Sequence, residues 1–493
     1  MSALKPFAAG PVAALAATVT ALQIALSGRY GFHRDELYFL VAGRHPAWGY
    51  ADQPPLTPLL GRASTALFGD GPTGLRVVPA LLCGAAVVLV ALLARELDAG
   101  RAGQLLAAGC AACSAFALAV GHLLNTAIFD LCAWLVVCLL VLRLLRTGDG
   151  RWWLAVGAAT GVALLNKDLV LLLAAALVPA VLAVGPRAVL RGRWPAAGLA
   201  VAGAVALPDL WWQAAHGRPE LTVAAGISGQ DGSENRLLFV PMQVLYLSPV
   251  LVPIWLAGFR RLRLDADLAR AKSFAVAYPA LCVLVVAADG KPYYALPALL
   301  VLTAAGCEPV ARRLVAAGPR RIRRAATALA IGAAVNVVIT LPVLPARLTP
   351  AVGWIYREQG EQIGWPELAD AAAEGRRTIP PDRRIRAVLL AADYGEAGAL
   401  ARYGPARGLP TPYSGHLAFA DWGPPPDTLD GPVLLVHPVG FPDAERHFTD
   451  CHPIGHVDNG HAVPNGEQHA PVLLCPGPHR PWSTLRPHLR HYY

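Results

Sequence analysis

Charged residues are scarce in this chain. Of its 493 residues, 15% are charged and 55% are hydrophobic, whereas soluble domains average about 25% charged and about 45–50% apolar residues. The mean hydropathy is +0.44. The low charge argues against an ordinary soluble domain, and the high apolar content excludes a disordered chain. The sequence also shows no glycine-rich nucleotide-binding loop, internal repeat or low-complexity tract.

Long apolar runs are abundant instead, and most have the roughly 17–25 residues that a membrane-spanning helix needs. The two weakest are separated only by Asn166-Lys167-Asp168. The pattern predicts a polytopic α-helical membrane protein with about 11 transmembrane helices. The predicted segments are 7–29, 74–94, 102–120, 126–145, 152–165, 168–185, 195–213, 237–258, 273–288, 293–311 and 325–345.

The formal net charge of +9 comes largely from arginines in short loops between these segments. Such clustering sets the orientation of a membrane protein, since basic loops stay in the cytoplasm, and it argues against nucleic acid as a partner. We therefore predict a multi-pass protein of the plasma membrane. With eleven spans and the basic loops inside, its N-terminus is cytoplasmic and its C-terminal region is extracytoplasmic. The predicted inner loops then carry Arg143, Arg146, Arg151, Arg187, Arg191, Arg193, Arg260, Arg261, Arg263, Arg270, Lys272, Arg312, Arg313, Arg320, Arg321, Arg323 and Arg324.

The composition becomes polar and rich in Pro and Gly after about residue 345, so residues 1–345 are predicted as a membrane domain and 346–493 as an extracytoplasmic domain. Two apolar runs, 385–392 and 432–437, are typical of buried strands, and 396–403 is typical of a short helix. A small α/β domain follows from this order. Cys451 and Cys475 are the two cysteines in this polar region, and outside the cell we expect them to form a disulfide. Its many histidines show no tight metal-ligand spacing.

Five ionisable residues lie at the ends of apolar segments, where charges are costly and often functional. They are Asp35 and Glu36 in the first outer loop, 30–73, then Asp130, Lys167 and Lys291. All five fall on the same predicted side of the membrane. Each also has a plain structural interpretation: solvated loop charge for the acidic pair, a helix cap for Asp130, and snorkelling to the interface for the lysines. Carboxylates and lysines on one face indicate a site that binds an anion and handles a proton.

Five strings in the same order resemble glycosyltransferase family 39, which includes the protein O-mannosyltransferases and the bacterial aminoarabinose transferases. These strings are Asp35-Glu36-Leu37-Tyr38, Tyr50-Ala51-Asp52-Gln53-Pro54-Pro55-Leu56, Phe129-Asp130-Leu131, Lys167, and Lys291 through Pro297. One departure is Gln53, since aminoarabinose transferases carry a lysine before the Pro-Pro pair. Two further strings, Tyr413-Ser414-Gly415-His416 and Trp422-Gly423-Pro424-Pro425, also look like segments of bacterial members.

The resemblance implies a GT-C fold that moves a sugar from a polyprenyl-phosphate donor, with inversion, to an extracytoplasmic protein, lipid or glycan. It implies Asp35 as the base, Glu36 as the alternative base and Asp130 as a positioning carboxylate. Lys167, Lys291 and Tyr293 are then expected at the donor phosphate, and His33, Tyr50 and Gln53 in the loop that contacts donor or acceptor.

The lipid-linked sugar is the only expected cofactor, although the carboxylates could accommodate a divalent metal. The rival class is a lipid or solute transporter or flippase without glycosyl transfer. A transporter typically shows inverted repeats and charged groups near the middle of the membrane, and neither is evident here.

Overall fold

A bundle of long helices with a small α/β unit at its C-terminal end makes up the protein. The computed structural model describes residues 4–437, 444–448 and 450–492. The helices of the bundle are α1 (Ala9–Leu26), α2 (Arg34–Arg44), α3 (Leu56–Phe68), α4 (Pro72–Glu96), α5 (Arg101–Cys113), α6 (Ala115–His122), α7 (Thr126–Thr147), α8 (Trp152–Leu164), α9 (Val170–Val184), α10 (Trp194–Ala215), α11 (Pro219–Leu247), α12 (Val252–Leu264), α13 (Lys272–Ala287), α14 (Leu296–Ala316) and α15 (Pro319–Thr340).

Six helices in the described part of the chain are long and apolar enough to cross a membrane, and two bent pairs raise the number to eight. The apolar side chains on the outer faces of α10, α11 and α15 are exposed, among them Leu199, Leu207, Leu237, Val240 and Ile331. Exposed apolar surface of this extent is typical of a lipid-facing bundle. The predicted multi-pass helical architecture is confirmed, whereas the count of eleven spans stays a prediction.

Two predicted spans are not straight helices. The segment predicted at 102–120 breaks at Ser114, where α5 and α6 meet at 57°, because the Ser114 side chain accepts a hydrogen bond from the Ala117 N–H and caps a new helix. The span predicted at 237–258 was placed wrongly. Its first half belongs to α11, which already begins at Pro219, and the chain then bends by 82° around Ser248 and Pro249. Proline at the bend cannot donate the hydrogen bond that a continuous helix needs.

The two weakest predicted segments are separate helices, α8 and α9, as expected. Close helix packing in the bundle depends on small residues, as in other membrane bundles. Between α12 and α14, for example, a Cβ atom added at Gly258 would lie 1.8 Å from the carbonyl oxygen of Leu302. Any larger residue at Gly258 would therefore push α12 and α14 apart.

One end of the bundle gathers the basic residues. Glu96 at the end of α4 accepts hydrogen bonds from Arg143 at 2.8 Å and Arg146 at 2.7 Å, near the end of α7. On the same α4, Arg76 lies twenty residues earlier, about 30 Å away along the helix axis, which matches the thickness of the hydrocarbon core. We call these two ends the arginine end, at Glu96, and the site end, at Arg76.

The C-terminal unit is a mixed sheet flanked by helices. Its strands β1 (Val388–Ala391), β2 (Pro412–Ser414), β3 (Val433–Val436), β4 (His452–His456) and β5 (Pro471–Cys475) have the order β2-β1-β3-β5-β4. β1 pairs in parallel with β2 and β3, and β5 pairs antiparallel with β3 and β4. Its helices are α16 (Pro350–Gly353), α17 (Trp365–Thr378), α18 (Pro381–Arg384), α19 (Tyr394–Tyr403) and α20 (Trp482–Leu489).

The small α/β domain predicted from the sequence is confirmed, with β1, β3 and α19 at the predicted runs. The disulfide between Cys451 and Cys475 is present and ties β5 to the residue before β4. The division of the chain at residue 345 stays a prediction. The unit docks on α2 through α19: a Cβ added at Gly398 would lie 2.8 Å from the backbone of Leu37, so the two helices nearly touch.

Candidate active site

The predicted first outer loop, 30–73, is largely helical, which the sequence interpretation missed. α2 carries the acidic motif, and α3 follows the Pro-Pro segment. α2 begins with a capping box, because the His33 side chain accepts from the Asp35 N–H and Glu36 accepts from the His33 N–H. The helix fixes the directions of Asp35 and Glu36, since neighbouring residues on a helix point about 100° apart. Only one of the two can therefore face a shared cleft.

Glu36 is fully buried at the base of the site. Its carboxylate accepts hydrogen bonds from Arg76 at 2.6 and 2.9 Å and from the Leu124 N–H at 2.9 Å. Arg76 is 1% exposed and Glu36 0%. A bidentate ion pair of this kind holds both groups firmly, so Glu36 links α2 to α4 and to the loop between α6 and α7. Its geometry is that of a structural group, in contrast with its expected role as the alternative base.

Asp35 faces the opposite way and its side chain is 36% exposed. One carboxylate oxygen, Oδ1, accepts a hydrogen bond of 2.7 Å from the hydroxyl of Tyr394, at the start of α19. The other, Oδ2, lies 3.8 Å from Nδ1 of His33. Asp35 thus has one oxygen held by the C-terminal unit and one oxygen directed elsewhere. Such a carboxylate can accept a proton from a substrate hydroxyl.

His33 joins this site to the segment after the last bundle helix. Its Nε2 lies 2.8 Å from the carboxylate of Glu358, in the 3₁₀ segment Arg357–Gln362. Burial opposes a charge on His33, but Asp35 and Glu358 outweigh burial and raise its pKa. Burial also raises the pKa of Glu358, but the hydrogen bond from His33 and the charges of Arg34 and Lys291 outweigh it and lower that pKa to about 2.

Asp52 is a second carboxylate of the site, in the Asp52-Gln53-Pro54-Pro55 string. Oδ1 accepts a 2.5 Å hydrogen bond from the hydroxyl of Tyr38. Burial raises the pKa of Asp52 to about 6, although the Tyr38 hydrogen bond and the charge of Lys167 oppose the increase. Tyr38 in turn packs against Tyr394, with ring centroids 5.4 Å apart. Asp35 and Asp52 are therefore connected through two tyrosines.

Lys167 lies in the turn between α8 and α9, surrounded by acidic groups. Burial lowers the pKa of its ammonium, but these groups outweigh burial and raise it. They are Tyr294, Asp130, Glu220 and Asp52. The half-buried lysine is therefore close enough to these groups to interact with them electrostatically.

Asp130 is buried in α7, and its Oδ1 accepts a 3.1 Å hydrogen bond from the Trp134 indole. It does not cap the helix, because Asn125 is the cap residue. Its charge acts on both Lys167 and Tyr293. Tyr293 is half-buried, and its ring stacks on Phe116 at 5.3 Å.

Lys291 is half-buried at the start of the 3₁₀ segment Pro292–Ala295. It is the lysine whose charge acts on Glu358, so it lies toward the His33 side of the site. Lys167 lies toward the Asp52 side. The chain has four lysines, and the charges of two of them act on carboxylates at the site end.

Tyr50 and Gln53 are buried in the loop between α2 and α3. The Tyr50 hydroxyl donates to backbone carbonyls of Ala42 and His45, both at 3.1 Å. The Gln53 carbonyl accepts from the Tyr50 N–H, and its side-chain Nε2 has no hydrogen-bond partner within the described part of the chain. Tyr50 therefore shapes the loop, whereas the Gln53 amide still has a hydrogen bond to give.

Of the residues expected at the site, the structure places Asp35, His33, Lys291, Asp130, Tyr293 and Lys167 at the same end of the bundle, and their roles stay predictions. Sequence reasoning missed Asp52, although it stands beside Gln53 in the quoted string. It also missed Tyr394 and Glu358, which only tertiary structure brings to α2. The sequence left room for a divalent metal at the carboxylates. The described residues contain no group of three or more His, Cys, Asp or Glu side chains arranged to hold an ion.

Comparison with solved structures defines the fold as that of the GT-C membrane glycosyltransferases. ArnT from Cupriavidus metallidurans in the apo state matches with a TM-score of 0.61 and 16% identity, over 94% of this chain and 97% of that chain. The same protein bound to undecaprenyl phosphate gives 0.58 and 17%, over 94% and 98%. Arabinofuranosyltransferase AftD from Mycobacteria gives 0.50 and 16%, over 94% of this chain and 40% of that chain.

The sequence itself matches one family. The model of the dolichyl-phosphate-mannose-protein mannosyltransferase family matches residues 52–212, which include Asp52, Asp130 and Lys167. No curated protein matches the chain significantly in sequence. The resemblance predicted from the sequence is thus confirmed for the fold and for residues 52–212, and the chain is a multi-pass membrane protein with the fold of the GT-C glycosyltransferases.

Proposed function

We propose that the protein transfers a sugar from a polyprenyl-phosphate donor to a hydroxyl of an extracytoplasmic acceptor, with inversion at the sugar carbon. The observation that carries this proposal is the Asp35 carboxylate, with one oxygen held by Tyr394, at the end of the bundle where Lys291 acts on Glu358 and Lys167 acts on Asp52. The lipid donor is supported by ArnT, which was solved with undecaprenyl phosphate, and by the family description, which names dolichyl-phosphate-mannose.

Asp35 is the proposed base. Its Oδ1 is held by Tyr394, so Oδ2 accepts the proton as the acceptor oxygen bonds to the anomeric carbon. A fixed carboxylate within reach of the reacting hydroxyl is the usual requirement for general-base catalysis. The acceptor oxygen attacks from the face opposite the leaving phosphate, which produces inversion in one displacement.

Lys167 and Lys291 are the proposed phosphate-binding groups. As the bond between the anomeric carbon and the phosphate oxygen breaks, the electron pair stays on the phosphate and its negative charge increases. An ammonium acts on such an anion as a point charge, and fixed positive groups stabilise charge that develops in the transition state. The charges of Asp52 and Asp130 favour the protonated form of Lys167, and the charge of Asp130 also acts on Tyr293.

The acceptor's class, protein, lipid or glycan, stays open in this proposal, and the lipid donor is its only cofactor. The arginine end faces the cytoplasm in this account, with the N-terminus inside and the C-terminal unit outside, because positive loops are retained inside. The site end then meets donor and acceptor outside the plasma membrane.

The test is donor binding by purified protein in nanodiscs that contain undecaprenyl phosphate. Lys167→Ala and Lys291→Ala should each weaken binding by about tenfold or more, since a hydrogen bond to a charged group contributes about 1.5–3 kcal/mol. Lys272→Ala is the matched control, because Lys272 lies at the opposite end of α13 from Lys291. Equal binding by all four proteins would contradict the proposal.

A further inference from the structure

A cavity of about 360 Å³ lies between the C-terminal end of α2 and the C-terminal unit. α2 and the residue after it contribute Val41, Arg44 and His45. The remaining lining comes from the C-terminal unit: Ala401, Pro405, residues 409–414, Phe419, Trp422 and Gly423. The two strings around Tyr413 and Trp422, to which the sequence attached no role, both lie on this cavity. Its volume falls in the range of small-molecule binding sites, about 300–1,000 Å³.

The cavity has an apolar floor and a polar aromatic rim. Val41, Leu409 and Phe419 are buried and form the floor. On the rim, the Trp422 ring stacks on the imidazole of His45, with centroids 4.6 Å apart and an angle of 17° between the planes. The stack fixes the position of both aromatic rings in the lining of the cavity.

Arg44 is exposed on the same rim and forms no ion pair within the described part of the chain. It carries a fixed positive charge, since a guanidinium is not deprotonated in proteins. Arg44, Tyr413 and Trp422 all line the cavity, and each carries a hydrogen-bond donor: a guanidinium, a hydroxyl and an indole N–H. A ligand for this cavity should therefore have an apolar face, several hydroxyls and, for the strongest binding, an acidic group.

We propose that this cavity binds a carbohydrate segment of the acceptor, and that acidic sugars bind best. A sugar ring has C–H faces that pack on aromatic rings and hydroxyls at its edge that bind polar groups. Tyr and Trp provide such amphipathic contact at a low cost in conformational entropy. This inference rests on the proposed function and adds to it the acceptor's chemical class.

The cavity is connected to the reacting site but separate from it. Phe419 and Trp422 pack against Tyr38, with ring centroids 6.2 and 6.3 Å apart, and Tyr38 binds Asp52. Along α2, Arg44 lies nine residues from Asp35, about 13 Å on the helix axis. The bound segment is thus a part of the acceptor remote from the hydroxyl that reacts, and its binding energy orients that hydroxyl.

The test measures binding in the absence of donor, by saturation-transfer NMR on the purified full chain. The probes are neutral trisaccharides (mannotriose, maltotriose and arabinotriose) and a trisaccharide that contains glucuronic acid. We expect at least one trisaccharide to bind and the acidic one to bind most tightly. Trp422→Ala should lower affinity at least tenfold, and Trp422→Phe, which keeps the packing on Tyr38, should lower it less.

The matched control is Trp354→Ala, because Trp354 is 80% exposed and does not line the cavity. Arg44→Gln should abolish the preference for the acidic trisaccharide. The inference is contradicted if no trisaccharide binds. It is also contradicted if both Trp422 variants and Arg44→Gln bind the trisaccharides as tightly as the wild type does. Binding of a peptide at Trp422 that no trisaccharide can displace would also contradict the inference.

Failure of this inference is distinguishable from failure of the proposed function. The binding measurement requires neither donor nor turnover, whereas the proposed function is tested by donor binding at the lysines and by Asp35. Loss of donor binding in Lys291→Ala together with unchanged sugar binding in the Trp422 variants would reject the cavity alone.

Discussion

The hydroxyl of Tyr394 donates a 2.7 Å hydrogen bond to Oδ1 of Asp35. The two residues are 359 positions apart in the chain, so the C-terminal unit completes the site that α2 begins. The contact lies one turn of α19 before Gly398, where the same helix packs closely on the backbone of Leu37. It also fixes one oxygen of the proposed base, which leaves the other for the acceptor.

Removal of the Tyr394 hydroxyl should slow the reaction without unfolding the protein. Tyr394→Phe keeps the ring that packs on Tyr38 but loses a hydrogen bond to a charged group, which contributes about 1.5–3 kcal/mol. We expect kcat to fall about tenfold or more. Tyr403→Phe, on the same helix α19, is the control and should keep kcat. Equal rates for both variants would show that the contact does not position Asp35.

Loss of the Glu36 charge should reduce stability. Glu36→Gln leaves Arg76 buried without its partner, which typically costs about 3–5 kcal/mol. Thermal unfolding of Glu36→Gln should therefore occur at a clearly lower temperature. Asp35→Asn, at an exposed position, should unfold near the wild-type temperature. A Glu36→Gln protein that unfolds normally but has lost turnover would make Glu36 the base instead.

The ionisation of Asp52 should appear in the pH profile. Because its pKa is raised to about 6, Asp52 is charged above that pH and neutral below it. We expect kcat/KM to decrease as pH falls through about 6, since neutral Asp52 no longer attracts the Lys167 ammonium. Asp52→Asn should lose this limb of the profile.

Tyr38→Phe provides the complementary change. The Tyr38 hydrogen bond lowers the pKa of Asp52, so its removal should move the same limb to higher pH. A profile that is unchanged in both Asp52→Asn and Tyr38→Phe would exclude Asp52 from the reaction.

Stability of the C-terminal unit should decrease as pH rises. Glu396 and Glu467 are both buried and adjacent. Burial raises the pKa of Glu467 to about 8, with Asp393 and Glu361 acting in the same direction. Between the ordinary value of about 4.5 and 8, the folded protein holds a proton that the unfolded chain releases, so unfolding is favoured as pH rises.

Glu467→Gln removes this titrating group while keeping a hydrogen-bond donor. Its melting temperature should exceed that of the wild type at pH 8 and change less between pH 5 and pH 8. Glu374→Gln, at an exposed position on α17, should follow the wild type. A wild-type melting temperature that rises from pH 5 to pH 8 would contradict the assignment.

Much of the fold follows from local patterns. The long apolar runs and the arginine clusters predict a helical bundle with a basic end. After residue 385, two short apolar runs predict β1 and β3, and the segment between them predicts α19. The bend at Ser248 was not predicted, because the apolar run continues through it. The helical state of α2 was also missed, although His33 and Glu36 have the spacing of a capping box.

The site was predicted only in part, for a physical reason. Charges at the ends of apolar segments identify Asp35, Asp130, Lys167 and Lys291, because the bilayer makes such charges costly. Glu36 is buried in an ion pair with Arg76, whereas Asp35 is partly exposed. The sequence does not show this difference, because Arg76 lies inside a predicted span on α4 and meets Glu36 only in the folded protein. Tyr394 and Glu358 come from distant segments with no local signal of their own.

The central claim is that Asp35 takes the proton of the acceptor hydroxyl. The most direct test compares purified Asp35→Asn with wild type in sugar transfer from polyprenyl phosphate, alongside donor binding. The account predicts that turnover falls by about 10²–10⁴-fold, the usual contribution of a general base, while donor affinity stays within about twofold. Near-normal turnover in Asp35→Asn would contradict the account, and the base would then have to be sought at Asp52 or Asp130.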